Sequence, residues 1–180
     1  MERILIVLPL LCLVVHAEDI PGWKVATGEW TYDEKNAEIR AVSPGQLESA
    51  TFPVGDFSMD FQICIDDYTD PHNMAGISFR VGGGGRYKLS FRSPNQVMFD
   101  KTWMEGEKSS LKSLASQSVT IPKGKWISVK LTVRGAKMQA RIGRKITLQA
   151  VDPEPLPPGK LELLTFRATA RFKIKKLKTK

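Results

Sequence analysis

Beyond its first seventeen residues the chain alternates apolar and polar side chains with a period of two, broken at short intervals by Gly, Pro, Asn and Asp. The cleanest stretch is FSMDFQICID, residues 57–66, where Phe57, Met59, Phe61, Ile63 and Ile65 share one side while Ser58, Asp60, Gln62 and Cys64 take the other. Successive side chains of an extended strand project to opposite faces, so this is the pattern of an antiparallel strand with one face in a core and one toward water. It recurs in GISFRV (76–81), RYKLSFR (86–92), QVMFDK (96–101), WISVKLTVR (126–134), KMQARIG (137–143), KITLQA (145–150), KLELLTF (160–166) and RFKIKKLK (171–178). Strands this short and numerous predict an all-β domain, a two-sheet antiparallel β-sandwich whose edges are protected by lysines. The Ser-rich stretch from Gly106 to Ser118 departs from the pattern and reads as loop or a short helical piece. No repeat of fixed period is visible, which argues against a propeller or solenoid.

The run Gly82 to Gly85 raises the question of a phosphate cradle. Such a loop needs a following helix whose N-terminus faces the anion, and a P-loop closes with Lys-Ser/Thr. Here the strand pattern Arg86-Tyr87-Lys88-Leu89-Ser90-Phe91 follows, and Tyr87 stands where the last glycine of a dinucleotide fingerprint would be. The run is therefore predicted to be a hairpin turn, glycine supplying positive φ.

Residues Met1 to Ala17 place Arg3 before an apolar run, Ile4 to Val15, and end on the small-residue spacing Val15-His16-Ala17, as a secretory signal peptide does. The run is shorter than the roughly 20 residues a membrane span requires. The expectation is a signal peptide at 1–17, a single β-sandwich domain at 18–180, and a secreted protein, periplasmic or extracellular. Removing the leader takes Cys12, leaving Cys64 without an intramolecular disulfide partner, and its apolar setting reads as a buried thiol. The net charge of +8 across 180 residues suits polyanions. Nucleic acid is disfavoured by the export signal, and a monomer is expected.

Several features in order carry a family resemblance: Trp23, the triplet Gly28-Glu29-Trp30, VGDFSMDFQI (54–63), NMAGISFR (73–80), the glycine turn, KGKWISVKLTVRG (123–135), PPGKLELLTF (157–166) and RFKIKKLK (171–178). Together they resemble the concanavalin A-like lectin and glucanase superfamily, nearer to its laminin-G-like and 3-keto-disaccharide hydrolase-type domains than to legume lectins. The resemblance implies a jelly roll with a sugar site on one sheet face. The acidic Glu-x-Asp-x-x-Glu string of the superfamily's glucanases does not occur, and Phe172 is followed by Lys173 and Ile174 where many relatives carry Phe-Asp-Asn.

Alternation aims Asp60 and Gln62, Ser78 and Arg80, and Lys88, Ser90 and Arg92 away from the core, and these are read as a polar band across one sheet. Planar groups among them can make paired hydrogen bonds to sugar hydroxyls, or the band is a solvated face with ion pairs such as Asp60 with Arg80. Trp103, in a polar segment after a strand, is the first candidate for an aromatic platform and Tyr68 the second, while Trp23, Trp30 and Trp126 are predicted to be core. Asp66, Asp67 and Asp70, with Asn73, are hard oxygen ligands that could hold Ca²⁺, or simply turn residues. No other cofactor is expected. The functions left open are carbohydrate or anionic-polysaccharide binding, a glycoside hydrolase or lyase acting on plain or 3-keto disaccharides or glycosides with Asp60 or Asp100 as acid or base, and a structural or adhesive envelope protein. The basic C-terminus from Arg167 to Lys180 is either a final strand at a sheet edge or a docking strip for a polyanion.

Overall fold

The computed structural model describes residues 20–49, 54–68, 72–92 and 94–179; the predicted leader and Asp70 lie outside them. The described residues form strands and no helix. In chain order these are β1 (Trp23–Thr27), β2 (Trp30–Asp33), β3 (Glu38–Ala41), β4 (Gly45–Ser49), β5 (Phe57–Tyr68), β6 (Met74–Gly82) and β7 (Gly85–Arg92). There follow β8 (Gln96–Glu105), β9 (Lys108–Ser118), β10 (Ile127–Arg134), β11 (Lys137–Ile142), β12 (Ile146–Val151), β13 (Lys160–Phe166) and β14 (Ala168–Thr179). They build two seven-stranded sheets, a front sheet ordered β1-β4-β13-β6-β7-β8-β9 and a back sheet ordered β12-β11-β10-β5-β14-β3-β2. Every strand pairing is antiparallel.

The two sheets bury the apolar half of each alternation against one another. Phe79 of β6 joins the layers: its ring stacks on Tyr87 at 5.3 Å and meets Phe57 of the back sheet edge-on at 5.7 Å. The same core holds Leu89, Phe91 and Phe99 from the front sheet and Met59, Phe61 and Leu131 from the back, all essentially inaccessible. A side chain of this size contributes about 1.5–3 kcal/mol when fully buried, and no disulfide supplements the packing among the described residues.

Two sequence expectations are corrected. The stretch expected as loop or helix is mostly β9, which pairs along its length with β8 at the sheet edge. Its serines face water and only Leu114 and Ala115 reach the core, so the apolar half of the alternation was too sparse to read. The C-terminal strand is not an edge strand where Ala170 to Phe172 run between β5 and β3; beyond Phe172 it keeps β5 alone as neighbour.

The glycine run is a turn, as expected: β6 ends at Gly82 and β7 begins at Gly85, with no helix after it. Only Gly85 is required by geometry. Its φ is +135°, and a Cβ there would stand 2.2 Å from the Thr102 carbonyl oxygen of β8, whereas Gly83 and Gly84 have open space around them. Accordingly Gly85→Ala is expected to cost about 1–3 kcal/mol through backbone strain, and Gly83→Ala to leave stability close to wild type. Thermal unfolding of both variants checks this; equal melting temperatures would show that the β7–β8 approach does not constrain the turn.

Candidate functional site

Register lines up polar side chains across the outer face of the front sheet. Glu48, Glu162, Ser78, Lys88 and Asp100 stand opposite one another in turn across β4, β13, β6, β7 and β8. The adjacent row reads Gln46, Leu164, Gly76, Ser90 and Met98. On the other side of the first row, Arg86 faces Thr102. Directly opposed residues on neighbouring strands have Cβ atoms about 4.5–5.5 Å apart, so the first row is a continuous strip of side chains, while in the second Gly76 leaves a gap between Leu164 and Ser90.

These outward side chains are crowded to a degree that an exposed sheet face does not require. Ser78 and Ser90 are 0 % accessible, Asp100 1 % and Glu162 2 %. Glu162 Oε2 accepts from Arg86 Nη1 at 2.8 Å, and Asp100 Oδ2 meets Arg92 Nη2 at 3.5 Å without a hydrogen bond. Ser90 Oγ and Thr102 Oγ1 likewise have no partner. Buried polar groups are normally satisfied, because a missing hydrogen bond costs about 1–3 kcal/mol, so a group of them on one face is a deficit that a ligand can repair. A pocket of about 270 Å³ opens beside them, lined by Gln46, Met74, Ser78, Arg86, Lys88, Thr102 and Leu164, so that Thr102 and Ser78 reach it while Ser90 and Asp100 lie next to it along β7 and β8. Leu164 and Met74 give it an apolar flank, extended on the same face by the exposed ring of Phe166, which lies opposite Met74.

Two charges of the row, Glu162 and Lys88, are pulled toward neutrality. Burial pushes the Glu162 carboxyl above the usual carboxylate range despite the Arg86 guanidinium beside it. Burial also pulls Lys88 below the usual amine range, with Arg86 and Arg92 acting in the same direction and Asp100 opposing them. Lys88 forms neither a hydrogen bond nor an ion pair among the described residues.

The band expected across one sheet is divided between two. Ser78, Lys88 and Arg92 lie on the front face as expected, and Asp100 joins them. Asp60 and Gln62 lie on the outer face of the back sheet, where β5 pairs with β10 and β14. Gln62 Nε2 donates to Ser128 Oγ at 3.1 Å. Arg80 faces neither surface. The register of β6 shifts after Phe79, Arg80 takes φ +50°, and the bulge turns its guanidinium to the Gly55 and Leu156 carbonyls at 3.2 and 3.1 Å and to Asp56 Oδ1 at 3.3 Å. It clamps two connecting segments, and the expected Asp60–Arg80 pair does not form. Trp103 lies within β8 rather than after it, on the side of Phe99 and Lys101 and so away from Asp100 and Thr102. Its indole N–H donates to Glu105 Oε1 at 3.0 Å and Lys101 Nζ sits 5.7 Å from the ring. Trp126, expected in the core, is half-buried at the back surface, with Arg171 and Lys173 over its ring at 5.1 and 4.8 Å. Trp30 is core, packed on Phe172, and Trp23 is partly buried against it.

Of the carboxylates weighed as calcium ligands, Asp66 is gripped by Arg171 Nε and Nη2, each at 2.8 Å, and Asp67 by Lys123 Nζ at 2.6 Å. The Lys123 contact holds Asp67 below its ordinary pKa. Lys123 also lies 6.0 Å from the Tyr68 ring. Cys64 is buried beside Asp66 and Arg171, and burial pushes its thiol up to about 11, which suits neither a nucleophile nor a metal ligand at neutral pH. Arg86, Thr102, Glu48, Glu162 and Phe166 were not singled out from sequence; alternation places each outward, but only the strand order shows which of them meet.

The back sheet has a larger depression, about 700 Å³, lined by Arg134, Lys137, Gln139 and Gln149 among others. Its cations are solvated and no buried polar atom there lacks a partner, so it carries no comparable deficit. No protein-family model matches the chain, and no curated protein does. Solved structures do match. The carbohydrate-binding module CBM66 from Bacillus subtilis superposes with a TM-score of 0.72 at 20% identity, over 88% of this chain and 96% of that one. The fold is a jelly roll. An alginate lyase of polysaccharide lyase family 7 shares the jelly roll with a TM-score of 0.60 at 11% identity, over 92% of this chain and 98% of its own. The binding domain of botulinum neurotoxin DC, solved with SialylT, does so at 0.59 and 14%, over 86% of this chain and 42% of that one. These similarities agree with the concanavalin A-like resemblance read from sequence. No helix among the described residues is long and apolar enough to cross a membrane.

The raised pKa of Glu162 has a stability consequence with a definite sign. A folded state that holds a carboxyl proton more tightly than the unfolded chain loses stability as pH rises through the window from the ordinary glutamate value, about 4.3, to the raised one. Glu162→Gln removes that loss, so the variant is expected to gain on wild type in melting temperature between pH 4 and pH 8. A variant that instead falls behind as pH rises would show that Arg86 more than compensates the burial.

Proposed function

We propose that the protein is a carbohydrate-binding jelly roll whose site is the outer face of the front sheet. The observation that carries the reading is the set of buried polar groups without partners on one sheet face, Ser78, Ser90, Thr102 and Asp100, of which Ser78 and Thr102 line a pocket shared with the apolar Leu164 and Met74. A pyranose offers both complements, hydroxyls that donate and accept at its rim and a C–H face that packs on apolar surface. The jelly-roll neighbours named for carbohydrate binding and for alginate lysis support the same class of ligand. Residues supplied by four adjacent strands make a rigid platform that needs little reorganisation on binding.

The reading is checked by screening the purified protein on a glycan array and titrating the hits by calorimetry. Thr102→Val and Asp100→Asn are each expected to weaken binding about tenfold, the worth of one hydrogen bond to a ligand group. Gln62→Ala and Trp103→Ala should leave affinity unchanged. Binding that survives the first two and is lost with Gln62→Ala would move the site to the back sheet.

A second reading, a glycosidase, is favoured by one arrangement. Asp60 and Asp100, weighed from sequence as acid or base, lie on different sheets and do not form a pair. Glu162 and Asp100 are three strands apart, about 14 Å at a strand spacing of about 4.8 Å, too far for either stereochemical course of glycoside hydrolysis. Glu48 and Glu162 are directly opposed, Glu162 with its pKa raised by burial and Glu48 bound to Lys160 Nζ at 2.6 Å. Two carboxyl groups in unlike environments at this spacing suit an acid and a nucleophile. Incubation with plain and 3-keto glycosides should then release reducing sugar in wild type and at least about a hundredfold less in Glu162→Gln, the loss typical of removing a general acid. Absence of product from wild type eliminates this reading and leaves the binding module.

A further inference from the structure

We infer that the glycan taken by the front sheet is an acidic one, a uronic or other sugar acid whose carboxylate is received by Lys88; the inference rests on the binding reading above and names its ligand class. Among the cations on β7 beside and on the central row, all but one are matched with an acid. Arg86 holds Glu162 and Arg92 reaches Asp100, each through the contact already described, while Lys88 between them has no ion-pair partner among the described residues. Its side chain lines the pocket together with Ser78 and Thr102. A half-buried ammonium without a counter-ion is costly, and a neutral sugar hydroxyl returns only part of what water gave it. A carboxylate returns all of it through a charge-assisted bond, and the Ser78 and Thr102 hydroxyls are placed to donate to its second oxygen.

The remaining charges select the kind of anion. Lys88 is faced by Arg86 and Arg92 from its own strand, by Asp100 from β8, by Glu162 from β13 beyond Ser78, and by Glu48 further along the row. With carboxylates on both sides and one uncommitted cation, the pocket has charge for a monoanion, and a dianionic phosphate would be repelled by Asp100 and Glu162. Unlike the solvated cations of the back sheet, which salt screens, Lys88 lies in a crowded site where an ion pair keeps its strength.

The test compares a hexamer of uronic acid, galacturonate or mannuronate, with the same hexamer after reduction of its carboxyl groups to alcohols, by calorimetry in moderate salt. Wild type is expected to prefer the acid form by about 10- to 100-fold, the worth of a hydrogen bond between charged groups. Lys88→Met should close that gap while still binding the reduced hexamer. Lys88→Arg should keep the gap and hold it at alkaline pH, where the wild-type preference fades as Lys88 loses its proton. Equal binding of the two hexamers by wild type, or a gap that survives Lys88→Met, overturns the inference and leaves glycan binding intact. Failure of wild type to bind any glycan, these hexamers included, overturns both.

Discussion

Because side chains alternate along a strand, a one-residue slip of β6 against β7 would carry Ser78 into the interior and put Phe79 in water, and a slip of β7 instead would do the same to Lys88 and Tyr87. The cost of exposing those rings holds the register, and the register in turn decides which polar groups meet outside. The inner and outer faces are thus one constraint seen from two sides. Phe79 against Tyr87 and Phe57 sets the alignment that places Glu162, Ser78, Lys88 and Asp100 in one strip. A site of this kind needs no loop to organise it.

How much of this was legible from residues alone follows from the range of each interaction. The alternation announces the strands, the sandwich and the inward set, since period two is a property of each strand by itself. Strand order is not local: nothing in FSMDFQICID or RYKLSFR tells that one belongs to the back sheet and the other to the front, and so Asp60 and Lys88 were read as neighbours. Arg80 misled for a different reason. Its outward position was right for an unbroken strand, but the bulge after Phe79 adds a residue and reverses its direction, and the anchors that reward this, Gly55, Asp56 and the Leu156 carbonyl, are remote in sequence. Glu162 escaped notice because the segment KLELLTF hides one acid among leucines; its significance arises only where β13 is laid beside β6.

The two outer faces handle charge in opposite ways. On the back sheet, Lys130, Arg134, Lys137 and Arg141 stand in solvent, where their repulsion is screened and their hydration is kept. On the front sheet, carboxylates, an amine and hydroxyls are crowded out of water without full compensation. The interior cluster near the end of the sandwich shows what complete compensation looks like. Asp152 there accepts from Tyr87 at 2.5 Å and from Lys101 at 2.7 Å, and although burial alone would raise its pKa, these bonds lower it. The contrast between a satisfied polar cluster and an unsatisfied one in the same fold is the physical distinction between a structural network and a binding surface.

The strand order also dictates when the molecule can take shape. β13 lies between β4 and β6, and β14 lies between β5 and β3, so each sheet has a gap in its middle until the latest-made of the described strands arrive. The early strands β1 to β4 have no partner outside their own group except these two. A ribosome emitting this chain therefore yields a polypeptide unable to close its sandwich before β13 and β14 have been made, and over that interval the borders of β5 and β6 that they will cover stand unpaired.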